Sequence, residues 1–465
     1  FTVLAAVLVA AVASPAFAGK RKHPSKLKYP PIEIKTPEVI DVTLSSGMEG
    51  FLIEDHEIPV VDIVILFPTY FPDEAKYGLN EMAQWVIRNG GSESWPSDKL
   101  NEELEFIPAS VEVYGGNLST YVAISCMKKD IDEVLAIAAD LMMNPLFPED
   151  KIAKKRGDML EEIRRKNDQP RAIARREFYK LIYRGHPYGW DTTVGSVEAI
   201  TRDDLTAFHA AYFRPNAAII GVSGDVTRDE ITGKLELAFE GWAGGETEIP
   251  AMPDVNPDFA ENWNYAYKDI SQAYMMLGHL TINAKNEDRA ALNVMNFILG
   301  GGSFTSWIVT EVREKKGLAY SSGSVFGSDA FTLGAFYAYA QTKGEEYSRA
   351  MQLMIEQIEK MRTEGPTEEE LRKAIDSYVN GQVFDYDSKS GMVRRLVRLK
   401  FEGRPLDTPE KDMEAYASMT LEDVKRVAEM YLHPDRLTVF VVGDKDTFDR
   451  PLSDFGEVNE IELEN

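Results

Sequence analysis

Arg313 and Tyr320 are the two residues whose types and spacing point most directly to chemistry. They sit in GGGSFTSWIVTEVREKKGLAY, residues 300–320, which reads as a glycine triplet, an amphipathic helix, a stop at Gly317 and a strand starting at Tyr320. Such a corner aims a guanidinium and a phenol at one point. Two fixed donors converging on a carbonyl oxygen stabilise the negative charge that develops there in acyl transfer. Taken as bare residues, Arg313 can equally pair with Glu311 or Glu314 while Tyr320 fills a strand end. Ser303 and Ser306 have no histidine nearby and read as capping residues rather than nucleophiles. Cys126, the single cysteine, lies in an apolar strand and reads as a buried, inert thiol.

The elements that must position the pair occur twice. TRDDLTAFHAAYFRPNAAIIGVSGD (201–225) and TLEDVKRVAEMYLHPDRLTVFVVGD (420–444) align without a gap at an offset of 219 residues. The alignment matches Asp204 with Asp423, Tyr212 with Tyr431, Pro215 with Pro434 and Gly224-Asp225 with Gly443-Asp444. Upstream, Gly90-Gly91 pairs with Gly301-Gly302 at an offset of 211. A repeat this long means two copies of one domain, not a solenoid of short units. Apolar periodicity gives each copy an opening strand (60–67; 273–280), a helix, and one or two strands (110–127; 319–341). Long helices follow (131–143 and 149–166; 347–361 and 368–380), then a closing strand (217–222; 437–442). The fold class is therefore α+β, two homologous domains with a mainly antiparallel sheet backed by helices in each. The domains are placed at 37–243 and 263–450, joined by a proline-rich acidic linker at 244–262 and followed by an acidic tail at 451–465.

A net charge of −25 over 465 residues argues against nucleic-acid binding, which needs a basic face. One cysteine excludes an internal disulfide framework and a cysteine-rich metal site. Residues 1–18 read as a signal peptide: a small-apolar run over 4–12, too short to span a bilayer, then Ala16-Phe17-Ala18 before Gly19 as the cleavage site. Export is the expectation, to the periplasm in a Gram-negative source, with an exposed lead-in over 19–36.

Several segments resemble the M16 (pitrilysin-type, inverzincin) zinc metallopeptidases. They are LMMNPLF followed by a helix ending MLEEIRR (141–165), HPYGWDTTVGSVEAI (186–200), FRPNAAIIGVSGDV and the 300–320 stretch. The resemblance covers roughly 40–445 and implies one two-domain half of a clamshell. Its catalytic members bind zinc through a helical H-x-x-E-H and a later glutamate, with the first Glu as general base. The matching positions here are Glu81, Gln84, Trp85 and Glu162. Both imidazoles and the base are absent, and Lys155 stands where the family often has an acid. Three suitable protein ligands are needed for a zinc site, so no metal is expected in this chain. None of the six histidines, His23, His56, His186, His209, His279 and His433, forms a local metal motif; His186 reads as structural.

The resemblance gives Arg313 and Tyr320 the role of binding the substrate carbonyl on the shell opposite the zinc. Trp307 departs from the arginine common in the family. Gly300, Gly301 and Gly302 form the adjoining glycine loop. Gly115, Gly116 and Asn117 mark either a substrate-adding edge strand or a bulge. The implied function is the non-zinc subunit of an exported heterodimeric peptidase acting on unfolded peptides. Zinc would be held by an H-x-x-E-H-bearing partner. The alternative is an inactive structural protein or peptide-binding chaperone of the same fold.

Overall fold

The computed structural model describes residues 36–464 apart from 258, 259 and 387. The signal peptide and nearly all of the lead-in fall outside the described residues. Among the described residues no helix is long and apolar enough to cross a membrane.

The run VVDIVILFP shows how the sheets arise. β-Branched and aromatic residues favour the extended backbone, and this strand is apolar on both faces because both faces are covered. The strands are β1 (Ile40–Thr43), β2 (Glu49–Glu54), β3 (Val60–Pro68), β4 (Ser110–Gly115), β5 (Ser119–Met127) and β6 (Ile219–Gly224) in the first half. The second half holds β7 (Asn262–Tyr267), β8 (Gln272–Leu280), β9 (Ala319–Phe326), β10 (Ala335–Lys343), β11 (Thr438–Gly443) and β12 (Val458–Glu460). Sheet orders are β1-β2-β6-β3-β5-β4 and β12-β7-β11-β8-β10-β9. The series β2-β6-β3-β5-β4 and β7-β11-β8-β10-β9 also share their directions: one parallel pairing, then three antiparallel ones. The repeat in sequence is thus a repeat in topology, and each half is a mainly antiparallel sheet backed by helices.

Four strands escape the sequence reading: β1, β2, β7 and β12. β7 reads NWNYAY, whose asparagines suggest a loop. Yet Asn264 is buried and donates to the Val439 carbonyl at 3.0 Å, so its polarity is satisfied inside the sheet. β12 lies within the stretch read as an acidic tail and is held by parallel pairing to β7.

Helices Leu79–Gly90, Ile131–Met143 and Glu149–Arg165 cover one face of the first sheet, and Tyr347–Thr363 with Glu368–Gly381 cover that of the second. The opposite faces are covered by exchange. Helix Pro170–Ile182 buries Ile173, Ala174 and Phe178 against Tyr274, Met276, Phe440 and Val442 of the second sheet. Helix Lys389–Phe401 buries Met392, Val393 and Val397 against Phe51, Ile53, Val64 and Leu66 of the first. These helices obey the same 219-residue offset, and the three buried positions named on each correspond: Ile173 with Met392, Ala174 with Val393 and Phe178 with Val397. Each such anchor contributes roughly 1.5–3 kcal/mol, so each half stabilises the other's sheet.

His279 is buried, with Nδ1 donating to the Leu280 carbonyl at 2.8 Å and Nε2 accepting from the His433 amide at 3.2 Å. Burial holds its pKa down at about 4. An unfolded histidine titrates near 6.5, so between those values the unfolded chain binds the extra proton. Stability present above pH 6.5 is lost as pH falls towards 4, by about 3 kcal/mol from this group. Urea unfolding between pH 7 and 4 should show this decline; a flat profile would contradict it.

Candidate functional site

The glycine triplet reshapes the helix expected over 300–320. Instead of one amphipathic α-helix, the chain forms π-helical turns at Phe297–Gly301 and Val309–Lys315, with a 3₁₀ turn at Ser303–Thr305 between them. Wide turns of this kind recur at functional sites. Gly300 is required because this segment lies directly on β9: a Cβ there would stand 2.3 Å from the Ser324 amide nitrogen. Gly300→Ala should therefore cost about 3 kcal/mol or more through overpacking against backbone, read as a lowered thermal midpoint. A Cβ on Gly301 would stand 2.6 Å from the Asn296 side-chain nitrogen, and one on Gly302 2.6 Å from the Phe297 carbonyl oxygen. Ser303 follows with φ of 56°, a left-handed conformation uncommon outside glycine. Ser306 does not cap a helix; its hydroxyl donates to the Ser303 carbonyl at 2.7 Å.

This scaffold brings Arg313 and Tyr320 together. The Arg313 guanidinium carbon lies 5.0 Å from the Phe304 ring centre and 6.0 Å from that of Tyr320. Both are within cation–π range. Tyr320 is 79% exposed and Phe304 56%. Glu311 is occupied by Lys315 at 2.6 Å, and Arg313 makes no ion pair among the described residues. The pairing of Arg313 with Glu311 or Glu314, open on sequence alone, is not the arrangement formed. Tyr320 owes its exposure to a β-bulge: Gln341 pairs with Ser321 and Thr342 with Ala319, leaving Tyr320 as the extra residue. Bulges re-aim side chains in this way. The result is an unneutralised guanidinium held between two aromatic rings and open to solvent, beside a free phenol.

Trp307 anchors the segment. Its indole N–H donates to Glu370 at 2.6 Å, and Lys360 Nζ sits 4.4 Å over its ring. Phe304 was not among the residues singled out in the sequence. Its place beside the glycine triplet, as a large aromatic in a loop, is the signal that identifies it.

The four positions matching the zinc site do not fit a metal. Glu81 Oε1 receives Lys155 Nζ at 2.6 Å, and the lysine side chain is only 9% exposed. An ammonium thus takes the place of a metal's positive charge. Gln84 is buried and donates Nε2–H bonds to the Gly116 carbonyl and Thr120 Oγ1, both at 3.1 Å. Trp85 lies under Lys154, 5.4 Å from ring centre to Nζ. Glu162 is exposed and lines, with Glu81, Lys166 and Asp191, a cleft of about 190 Å³. Among the described residues no three His, Cys, Asp or Glu side chains converge as a metal site.

Gln84 also explains Gly115, Gly116 and Asn117. Gly115 ends β4, paired with Thr120, and Gly116 and Asn117 begin the turn to β5, so they are not a bulge within one strand; β4 is an edge of its sheet. Gln84 fastens this turn, and Asn80 donates to the Asn117 carbonyl at 3.1 Å. The helix whose positions match the zinc motif thereby clamps a hairpin. His186 is structural: Nδ1 accepts from the Tyr188 amide and Nε2 donates to the Pro253 carbonyl, each at 3.1 Å, and burial lowers its pKa. Burial pushes the Cys126 thiol up to about 12, which leaves no thiolate near neutrality.

The fold and this pattern of kept and lost groups define an M16-type chain of two similar halves. Residues 76–194 match the family description "Insulinase (Peptidase family M16)" and residues 199–378 match "Peptidase M16 inactive domain". The chain belongs to the M16 peptidase family, as a member without the H-x-x-E-H motif. It is 26% identical over 338 residues to an uncharacterized zinc protease of Mycobacterium leprae, covering 70% of this chain and 76% of that protein. It is 23% identical over 400 residues to the non-peptidase homolog YmxG of Helicobacter pylori, covering 84% and 91%. Among solved structures, a peptidase M16 inactive domain from Pseudomonas fluorescens superposes with TM-score 0.81 at 24% identity, covering 90% of this chain and all of that one. The periplasmic protease PqqL of Escherichia coli gives 0.76 at 16% identity, covering 95% of this chain but 49% of PqqL. This chain therefore corresponds in fold to about half of PqqL.

Proposed function

We propose that this chain is the non-zinc subunit of an exported two-chain M16 peptidase. One observation carries the reading: Arg313, within cation–π range of Phe304 and Tyr320, is exposed and makes no ion pair among the described residues, while Lys155 pairs with Glu81, at the position matching the first zinc ligand. The partner, a similar chain bearing H-x-x-E-H, supplies zinc and the base. Arg313 and Tyr320 donate to the carbonyl oxygen of the scissile bond, holding the peptide and stabilising charge as it develops there. The correspondence to half of PqqL supports a shell that needs a second half.

A second reading is favoured by the resemblance to YmxG and by the structural use of Gln84: a peptide-holding or scaffold protein with no reaction of its own. Co-expression separates the two. A stable complex with an H-x-x-E-H chain that cleaves unfolded peptide supports the peptidase subunit. Absence of any such complex, with the chain monomeric or self-associated, supports the second reading.

A further inference from the structure

Helix Pro170–Ile182, which covers the second sheet, carries a basic, tyrosine-lined cleft that the proposed chemistry leaves unused. The cleft has a volume of about 610 Å³ and is lined by Arg171, Arg175, Arg176, Tyr179 and Tyr188 among others. Arg176 is neutralised by Glu177 at 2.8 Å and Asp191 at 3.6 Å. Arg171 and Arg175 are exposed and make no ion pair among the described residues. Arg175 lies 5.8 Å over the Tyr179 ring. From there an aromatic row crosses the sheet: Tyr179 to Tyr337, Tyr337 to Tyr339 and Tyr339 to Tyr274, each with ring centres 6.4 Å apart. Burial raises the Tyr274 and Tyr337 phenols, and the nearby guanidiniums of Arg171 and Arg175 oppose that rise. Both guanidiniums therefore lie near the row, and Arg175 stacks on its first ring.

The row runs on to the face that bears Tyr320. Ala319 and Ala340 point into the helix-covered core. Across the bulge, Tyr320 and Ser321 both project to the opposite face, which strand alternation also gives to Tyr339 and Tyr337. Two unpaired guanidiniums in a chain of net charge −25 form a local positive site in an acidic surround. Exposed guanidiniums of this kind pair with carboxylates through charge-assisted, bidentate hydrogen bonds. We infer that this cleft binds acidic side chains of an unfolded peptide, so that the substrate or cargo class is Asp/Glu-containing peptide. The inference rests on the reading of the chain as a peptide-binding shell, but it holds equally for the peptidase subunit and the chaperone.

The test is fluorescence anisotropy on the full chain alone, with a short unstructured glutamate-rich peptide and its glutamine counterpart. The acidic peptide should bind at least about tenfold tighter, a difference of about 1.4 kcal/mol, and weaken with added salt. Arg171→Glu with Arg175→Glu should abolish that preference, and the milder Arg171→Gln with Arg175→Gln should reduce it, with thermal melts reporting folding. Arg228→Glu, the same substitution at a single arginine outside the cleft, should leave binding unaltered. Equal binding of both peptides, an unchanged preference in folded cleft variants, or equal competition by an oligo-dT strand would overturn the inference. No partner or cleavage enters this assay, so loss of cleavage in the complex with peptide binding intact would count against the peptidase reading alone.

Discussion

Replacing Arg313 with alanine should lower turnover of the proposed two-chain complex by about a hundredfold or more, with the complex still assembling. The size follows from comparable carbonyl-oxygen sites, where losing one fixed donor costs about 3–4 kcal/mol. The effect is expected mainly in kcat, because the donor matters most when charge has developed on the oxygen. The sandwich sharpens this expectation. Phe304 and Tyr320 flank the guanidinium at 5.0 and 6.0 Å, so Arg313 is held in place before substrate arrives. Arg313→Lys should therefore rescue little, since a lysine lacks the planar fork and its stacking. Steady-state kinetics with a quenched-fluorescent peptide decides the matter, and near-normal kcat in Arg313→Ala would remove the residue from the reaction.

The second large effect concerns the metal that this chain does not accommodate. Restoring the family motif with Glu81→His, Gln84→Glu and Trp85→His should not by itself restore zinc binding. Lys155 remains, with its ammonium 2.6 Å from the first ligand position in the present chain. A unit charge about 4 Å from another costs roughly 4 kcal/mol at an effective dielectric of about 20. Adding Lys155→Ala to the triple variant should thus tighten zinc binding by roughly a thousandfold, measured by calorimetry against a competing chelator. Equal affinity of the triple and quadruple variants would show that Lys155 is not what excludes the metal. Gln84→Glu also brings an anion beside the Gly116 carbonyl. Some loss of stability in these variants is expected from the unclamped hairpin.

The repeat was legible because evolution kept its spacing: Tyr212 and Tyr431, or Gly224 and Gly443, reveal two copies without any structure. That the two sheets share a strand order follows from the repeat, whereas β7 and β12 stay hidden because their polar residues are satisfied only by neighbours distant in sequence. The helix exchange was equally invisible. Pro170–Ile182 and Lys389–Phe401 share an offset, but nothing in either helix states which sheet it covers. At the site, Arg313 and Tyr320 were found from motif context, yet their exposure depends on a bulge fixed by β10 pairing. The loss of the zinc ligands was readable residue by residue. Its replacement by an ion pair between Glu81 and Lys155 was not, since the partners lie on different helices and only packing brings them together.

The central claim, that half of an active site resides here, is tested most directly by cleavage of an unfolded peptide in a mixing experiment. This chain and an H-x-x-E-H-bearing partner are purified separately, assayed alone and then assayed together. Neither should cleave alone, and the mixture should cleave with an activity that saturates at equal stoichiometry and disappears when the partner's motif glutamate is replaced. A partner that cleaves equally well without this chain would contradict the claim.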